Sequence, residues 1–229
     1  MKRSSIGIVC LGFTALAIAA LHFSARASEG RENSLKPAPV SVPGQATPAF
    51  TFVVAPDGNS ARYRVREQLA GLDLPNDAVG ETKEVSGSIG LDKSGSVIPE
   101  SSRIVVGIDS LKSDKDRRDG YLRRRVLEAE KFPSVDFVIT AIRGVKLPVP
   151  KSGTRSFTIE GNLTIRGVTR PTTWSATAAF ADSVITGKAS TKFTFSDFTL
   201  TQPRVPVVLS VADTIGLEYD FKLLRKTAK

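Results

Sequence analysis

The sequence predicts an all-β domain of antiparallel strands, closed as a sandwich or a barrel, with one helix inserted. Three observations lead there. From Phe50 onward apolar and polar residues alternate with period two, as in strands with one buried and one wet face. Short clusters rich in Gly, Pro, Asp and Ser separate the alternating runs. A single stretch, Asp114 to Lys131, abandons alternation for helix formers.

The elements follow in chain order. Residues 1–27 read as a signal peptide: Met1-Lys2-Arg3, an apolar run from Ile6 to Leu21, then Ala25-Arg26-Ala27 as a cleavage pattern. The rival reading is an uncleaved anchor, but a spanning helix wants about 20 apolar residues, and this run is shorter and has His22 at its end. Cys10 lies inside the apolar run rather than after it, which argues against a lipoprotein. Residues 28–48 form a polar linker with Pro37, Pro39, Pro43 and Pro48, a density that favours solvated, extended chain. Residues 49–229 fit one domain without internal repeats.

Within that domain, Phe157, Ile159, Leu163 and Ile165 share one strand face, opposite Thr158, Glu160, Asn162 and Thr164. The stretch from Leu217 to Leu223 alternates as cleanly, and Ala61 to Arg66 sets Arg62, Arg64 and Arg66 against Tyr63 and Val65. Val85 to Leu91, Ile104 to Ile108, Val135 to Ala141, Trp174 to Phe180 and Ala189 to Phe195 complete the strands. Turns are expected at 56–59, 92–95 and 148–153. The helix is expected over Asp114 to Lys131, with Ser113 as N-cap, Leu122, Val126 and Ala129 on one face, and Pro133 as its stop.

Composition excludes much chemistry. The chain has one Cys, one Met and one His, all within the expected signal peptide, so the remaining 202 residues have no Cys or His. That leaves no disulfide, no Cys- or His-ligated metal and no His-based triad. Loss of Lys2, Arg3 and Arg26 lowers the formal charge from +9 to +6. For an exported protein this basic balance suits solubility or lipid head groups, not nucleic acid.

Nucleophile and phosphate-loop motifs are missing, and Glu160, Glu218 and Asp220 fall on wet strand faces, so no catalytic residue is assigned and the chain is read as a non-enzyme without cofactor. The acidic run Asp114, Asp116, Asp119 has neither the spacing nor the final acid of a calcium loop, and no metal ligand is assigned. A basic cluster of Lys112, Lys115, Arg117, Arg118, Arg123, Arg124 and Arg125 is either a water-facing helix surface or a patch for anionic lipid.

Two segments resemble the YceI-like family, exported lipocalin-like barrels that bind polyisoprenoids. One is Arg118-Asp119-Gly-Tyr-Leu122 running on to Phe132-Pro133-Ser-Val-Asp-Phe137; the other is Gly161-Asn-Leu163-Thr164-Ile-Arg-Gly167-Val168-Thr169. The chain departs from the family pattern in Phe195 before Ser196-Asp197-Phe198, in Val126-Leu127 late in the helix, and in a long Leu200 to Ser210 stretch. The resemblance implies an antiparallel lipocalin-like β-barrel of about eight strands with one inserted α-helix.

It further implies an apolar ligand in the lumen, a polyprenyl or quinone-like isoprenoid lipid. The apolar strand faces then supply the lumen residues: Tyr63, Val65, Ile89, Ile104, Val106, Phe137, Ile139, Phe157, Ile159, Leu163, Trp174, Phe193, Tyr219 and Phe221. Arg118, Arg123, Arg124 and Arg125 are the candidates for head-group contact or peripheral contact with an anionic membrane. Export places the protein in the periplasm or outside the cell, membrane-tethered if residues 1–27 persist. Monomer and homodimer are both compatible. Two other classes share the alternation: a secreted β-sandwich module that binds polysaccharide or protein, and an outer-membrane barrel, against which sparse Trp and Tyr and a charged helix argue.

Overall fold

The computed structural model describes residues 47–145 and 149–226. The expected signal peptide, linker residues 28–46 and the first residue of the 148–153 turn lie outside the described residues.

Eleven strands form one antiparallel sheet: β1 Phe50–Val54, β2 Ser60–Leu69, β3 Asn76–Thr82, β4 Val85–Leu91, β5 Val97–Gly107, β6 Lys112–Ser113, β7 Ser134–Arg143, β8 Gly153–Ile165, β9 Val168–Phe180, β10 Val184–Thr194 and β11 Val208–Lys226. Eight of them close a ring in the order β1-β4-β5-β7-β8-β9-β10-β11, with β11 returning to β1. The barrel is therefore closed, and the sandwich alternative falls away. Closure removes the unpaired edges that an open sheet of this size would expose.

One end of the barrel is built differently. Strands β1 and β2 run in the same direction along β11, pairing Val54 with Leu223 and then Ala61 with Tyr219. The break between them is held by Asn59, whose Nδ2 donates to Ala55 O at 2.8 Å and whose Oδ1 accepts from Lys222 N at 3.0 Å. Strands β3 and β4 mirror this break. As a result β2 and β3 splay beyond the ring, and β3 pairs with the short β6 instead of β5.

The helix crosses this end, and it is shorter than the sequence predicts. It runs α-helically from Asp116 to Tyr121 (α1) and continues as one π turn from Leu122 to Val126. Glu128 adopts a left-handed conformation, φ 51°, which stops propagation before Lys131. Ser113 does not cap it. Its hydroxyl donates to Asp119 Oδ1 at 2.6 Å, and its backbone N–H donates to the same carboxylate at 3.0 Å. Asp119 thus sits buried as a staple between helix and β6.

The hairpin of β8 and β9 turns on Arg166 and Gly167, with φ of 49° and 73°. Two successive positive φ values match the right-handed twist of the flanking strands, and glycine accepts the second without strain. Arg166 then clamps the helix end to the short helical turn Phe195–Phe198: its guanidinium donates to Glu128 Oε1 at 3.1 Å and to Thr199 O at 2.6 Å. Phe198, fully buried, packs edge-on against Phe193 at 4.7 Å.

The outer wall is charged. Arg62 pairs with Asp220 and Glu218, Arg64 with Glu218 and Asp77, and Arg66 with Asp77, a ladder across β3, β2 and β11. A membrane-spanning barrel carries an apolar band at that place. The β3–β2–β11 face carries ion pairs where such a band would lie.

Candidate lipid-binding lumen

The inward faces of the strands enclose a cavity of about 680 Å³ that runs the length of the barrel. All fourteen side chains read from the sequence as lumen residues line it. Their arrangement follows from period two: Tyr63 and Val65 on β2, Ile104 and Val106 on β5, Phe137 and Ile139 on β7, Phe157, Ile159 and Leu163 on β8, and Tyr219 and Phe221 on β11 all point inward. Ile89, Trp174 and Phe193 close the wall. Phe137 and Trp174 meet at 5.5 Å between ring centres, and Tyr219 and Phe221 at 5.7 Å.

Small residues shape the wall. Gly161, opposite Ile139, makes room for the Phe137 ring: a Cβ there would lie 2.6 Å from that ring and 2.4 Å from Val138 O. Ala78 and Ala189 line the cavity.

The lumen has one polar pole, beneath the helix. Glu67 follows Tyr63 and Val65 on the inward face of β2 and is buried. Arg118 Nη2 donates to Glu67 Oε1 at 2.5 Å, and Arg118 Nη1 donates to Asp114 Oδ1 at 2.5 Å. Burial works against the Arg118 charge, but the Asp114 hydrogen bond and the Glu67 charge outweigh it and hold the guanidinium above its usual pKa. Tyr63 ends beside this pair. Its hydroxyl is buried and has no hydrogen-bond partner among the described residues: the nearby Ser113 hydroxyl gives its proton to Asp119, and its oxygen already accepts from Lys115 N–H and Arg118 Nη1, both at 3.3 Å. Burial pushes the Tyr63 hydroxyl up to about 12, so it stays a neutral donor at any ordinary pH. Tyr219, by contrast, donates to Asn59 Oδ1 at 3.0 Å, and burial raises it well above the usual tyrosine value.

The four arginines taken together in the sequence part company. Arg118 lies on the lumen wall, neutralised by Glu67. Arg123 donates to Leu111 O at 2.8 Å, the Arg124 guanidinium lies over Gly120, and Arg125 is exposed. None of these last three lines the lumen. Alternation extended two residues beyond Val65 would have found Glu67. Tyr121, Leu122, Val126 and Leu127 reach the lumen from the helix; of these only Leu122 and Val126 lay on the helix face read from the sequence.

Comparison with known proteins agrees with the architecture. Residues 52–223 match the model of the YceI-like domain. A UPF0312 protein of Pseudomonas putida (strain W619) is 33% identical over 101 residues, 43% of this chain and 47% of that protein, so the matched stretch spans about half of that relative. Among solved structures, a polyisoprenoid binding domain from Saccharophagus degradans superposes with a TM-score of 0.57 at 10% identity, covering 79% of this chain and all of that one. Burkholderia cenocepacia BcnA gives 0.52 at 19% identity, with 71% and 95% covered. A Campylobacter jejuni YceI protein gives 0.51 at 20%, with 69% and 91% covered.

Proposed function

We propose that this chain, which belongs to the YceI-like domain family, binds a long apolar lipid of the polyisoprenoid type and sequesters or carries it without chemistry. One observation carries the reading: a closed barrel whose lumen of about 680 Å³ is walled by inward apolar and aromatic side chains. That volume lies in the usual range for ligand pockets, roughly 300–1,000 Å³. The Saccharophagus degradans domain of the same fold, described as polyisoprenoid binding, supports this ligand class.

Energetics assign the parts. Each methylene-sized unit of tail taken from water contributes about 0.8 kcal/mol, whereas an exposed ion pair contributes about 0–1 kcal/mol. The tail therefore dominates affinity. The unpartnered Tyr63 hydroxyl is the natural donor to an oxygen on the ligand's polar end, placing that end beneath the helix. With no charge left over in the Glu67–Arg118 pair, a neutral head group such as a quinone or alcohol suits the pole best. The expected signal peptide agrees with work in an aqueous compartment outside the cytoplasm, between membranes or at the cell surface.

The test is native mass spectrometry of protein purified without detergent, with lipid analysis of its organic extract. A stoichiometric isoprenoid chain is expected. Protein that is empty and also refuses added polyprenyl lipids of several lengths would sink the reading. Tyr63→Phe should lower affinity for an oxygen-bearing ligand about 5- to 10-fold and leave a pure hydrocarbon analogue unaffected.

A further inference from the structure

Five large apolar side chains are left exposed among the described residues, and four of them crowd one end of the barrel: Leu72 (49% exposed), Leu74 (76%), Val207 (64%) and Leu209 (66%). Leu72 and Leu74 occupy the apex between β2 and β3. Val207 and Leu209 occupy the start of β11, after the long stretch that also distinguishes this sequence. The two apices are joined: Ala70 N–H donates to Val207 O at 3.0 Å, and Leu69 pairs with Val208. The β11 pairing is irregular between Val208 and Ser210, and Leu209 faces outward there.

This apolar rim is continuous with the lumen. Leu69, Ala70, Val205, Val207 and Val208 line the cavity, so an uninterrupted apolar surface runs from solvent into the barrel. Pro75, Pro203 and Pro206 stiffen both apices, which lowers the entropic cost of presenting them. Exposed charges on the flanking segments are of both signs, Lys115, Arg117 and Arg204 with Asp73, Asp114 and Asp116. Apolar side chains on turn apices, flanked by charges of mixed sign and continuous with an apolar lumen, suit the acyl boundary of a bilayer.

We infer that this rim inserts into the outer layer of a lipid bilayer and sets the lumen mouth against it, so that the lipid passes between membrane and barrel without crossing water. The inference rests on the lumen reading only for the purpose of docking. The cations of the helix end are not its basis. Docking occurs on zwitterionic membranes and changes little with salt, unlike attachment through a basic patch.

The experiment places a reporter at the rim of the full chain, Leu74→Trp, with the buried Trp174 of the parent protein as baseline. Phosphatidylcholine vesicles with brominated acyl chains should quench the new Trp in low and high salt alike. Leu72→Asp combined with Leu209→Asp, at two rim residues outside the lumen lining, should slow uptake of a fluorescent polyprenyl lipid from those vesicles at least about tenfold, while uptake from ethanol dilution stays unchanged. No quenching, or quenching that needs anionic lipid, overturns the inference. So does a concentration-dependent dimer that Leu74→Asp abolishes in place of quenching, since the rim would then join two copies of the chain. If the rim inserts but no lipid ever enters the barrel, the lumen reading fails and the docking surface stands.

Discussion

Removing Arg118 should reveal what the lumen ion pair does. Arg118→Met keeps most of the apolar stem and strands the Glu67 carboxylate in the lumen wall, where the two side chains are 15% and 8% exposed. A buried pair broken from one side costs about 3–5 kcal/mol. At about 2–4 °C per kcal/mol for a domain of this size, the variant should melt roughly 6–20 °C lower at pH 7.

Glu67→Gln should cost less, about 1–2 kcal/mol, since Arg118 keeps Asp114 at 2.5 Å. The double variant Glu67→Leu with Arg118→Met should recover most of the loss, because two apolar groups need no partner. Urea denaturation at pH 7 measures all three. A deficit under about 1 kcal/mol for Arg118→Met, or a double variant no better than Arg118→Met, would refute the reasoning.

Three further outcomes are expected. Ser102→Ala should destabilise by about 1–3 kcal/mol in denaturant melts, because its fully buried hydroxyl bridges Gly90 N–H at 3.0 Å and Gly90 O at 3.1 Å where β4 slips register against β5. Acid should weaken the fold through the outer ladder: the Arg64 hydrogen bond holds Glu218 below its usual value, so that stability is fully present above the ordinary carboxylate range and lost as pH falls from there through the lowered value, and Glu218→Gln should flatten the acid limb of stability against pH. Ala189→Phe should lower lipid capacity in native mass spectra, because Ala189 lines the lumen, and should cost about 1–3 kcal/mol of stability, because Ala189 is also 5% exposed within the core cluster.

The strands were legible because alternation states directly which side chains share a face. Arg62, Arg64 and Arg66 fell on the wet side of β2, and the structure finds them in the outer ladder. The helix was legible in kind but not in extent. Its expected end relied on propensity through Lys131, whereas the chain turns at Glu128 so that Arg166 can grip that residue and Thr199 together. That contact joins residues far apart in sequence and leaves no local pattern. Glu67 was missed for a different reason: a charge ended an apolar alternation, and only its pairing with Arg118, 51 positions away, makes an inward acid tolerable.

Hydrophobic periodicity reports which way a residue points and says nothing of the volume it occupies. An empty lumen and a filled core therefore read alike in sequence, and the difference lies in where the small inward residues fall. Here Ala78 and Ala189 line the lumen from opposite sides of the β2–β11 pair. A strand with large residues at these positions would bring the walls' side chains into contact and close the axis. The aromatic rings instead pack along the wall in neighbouring pairs, Phe137 with Trp174 and Tyr219 with Phe221. The cost of that arrangement is forgone packing, since lumen-facing atoms have no partners on one side. Under the proposed function, a tail in the barrel would supply those contacts, and much of its affinity would come from packing that the wall side chains do not make with one another.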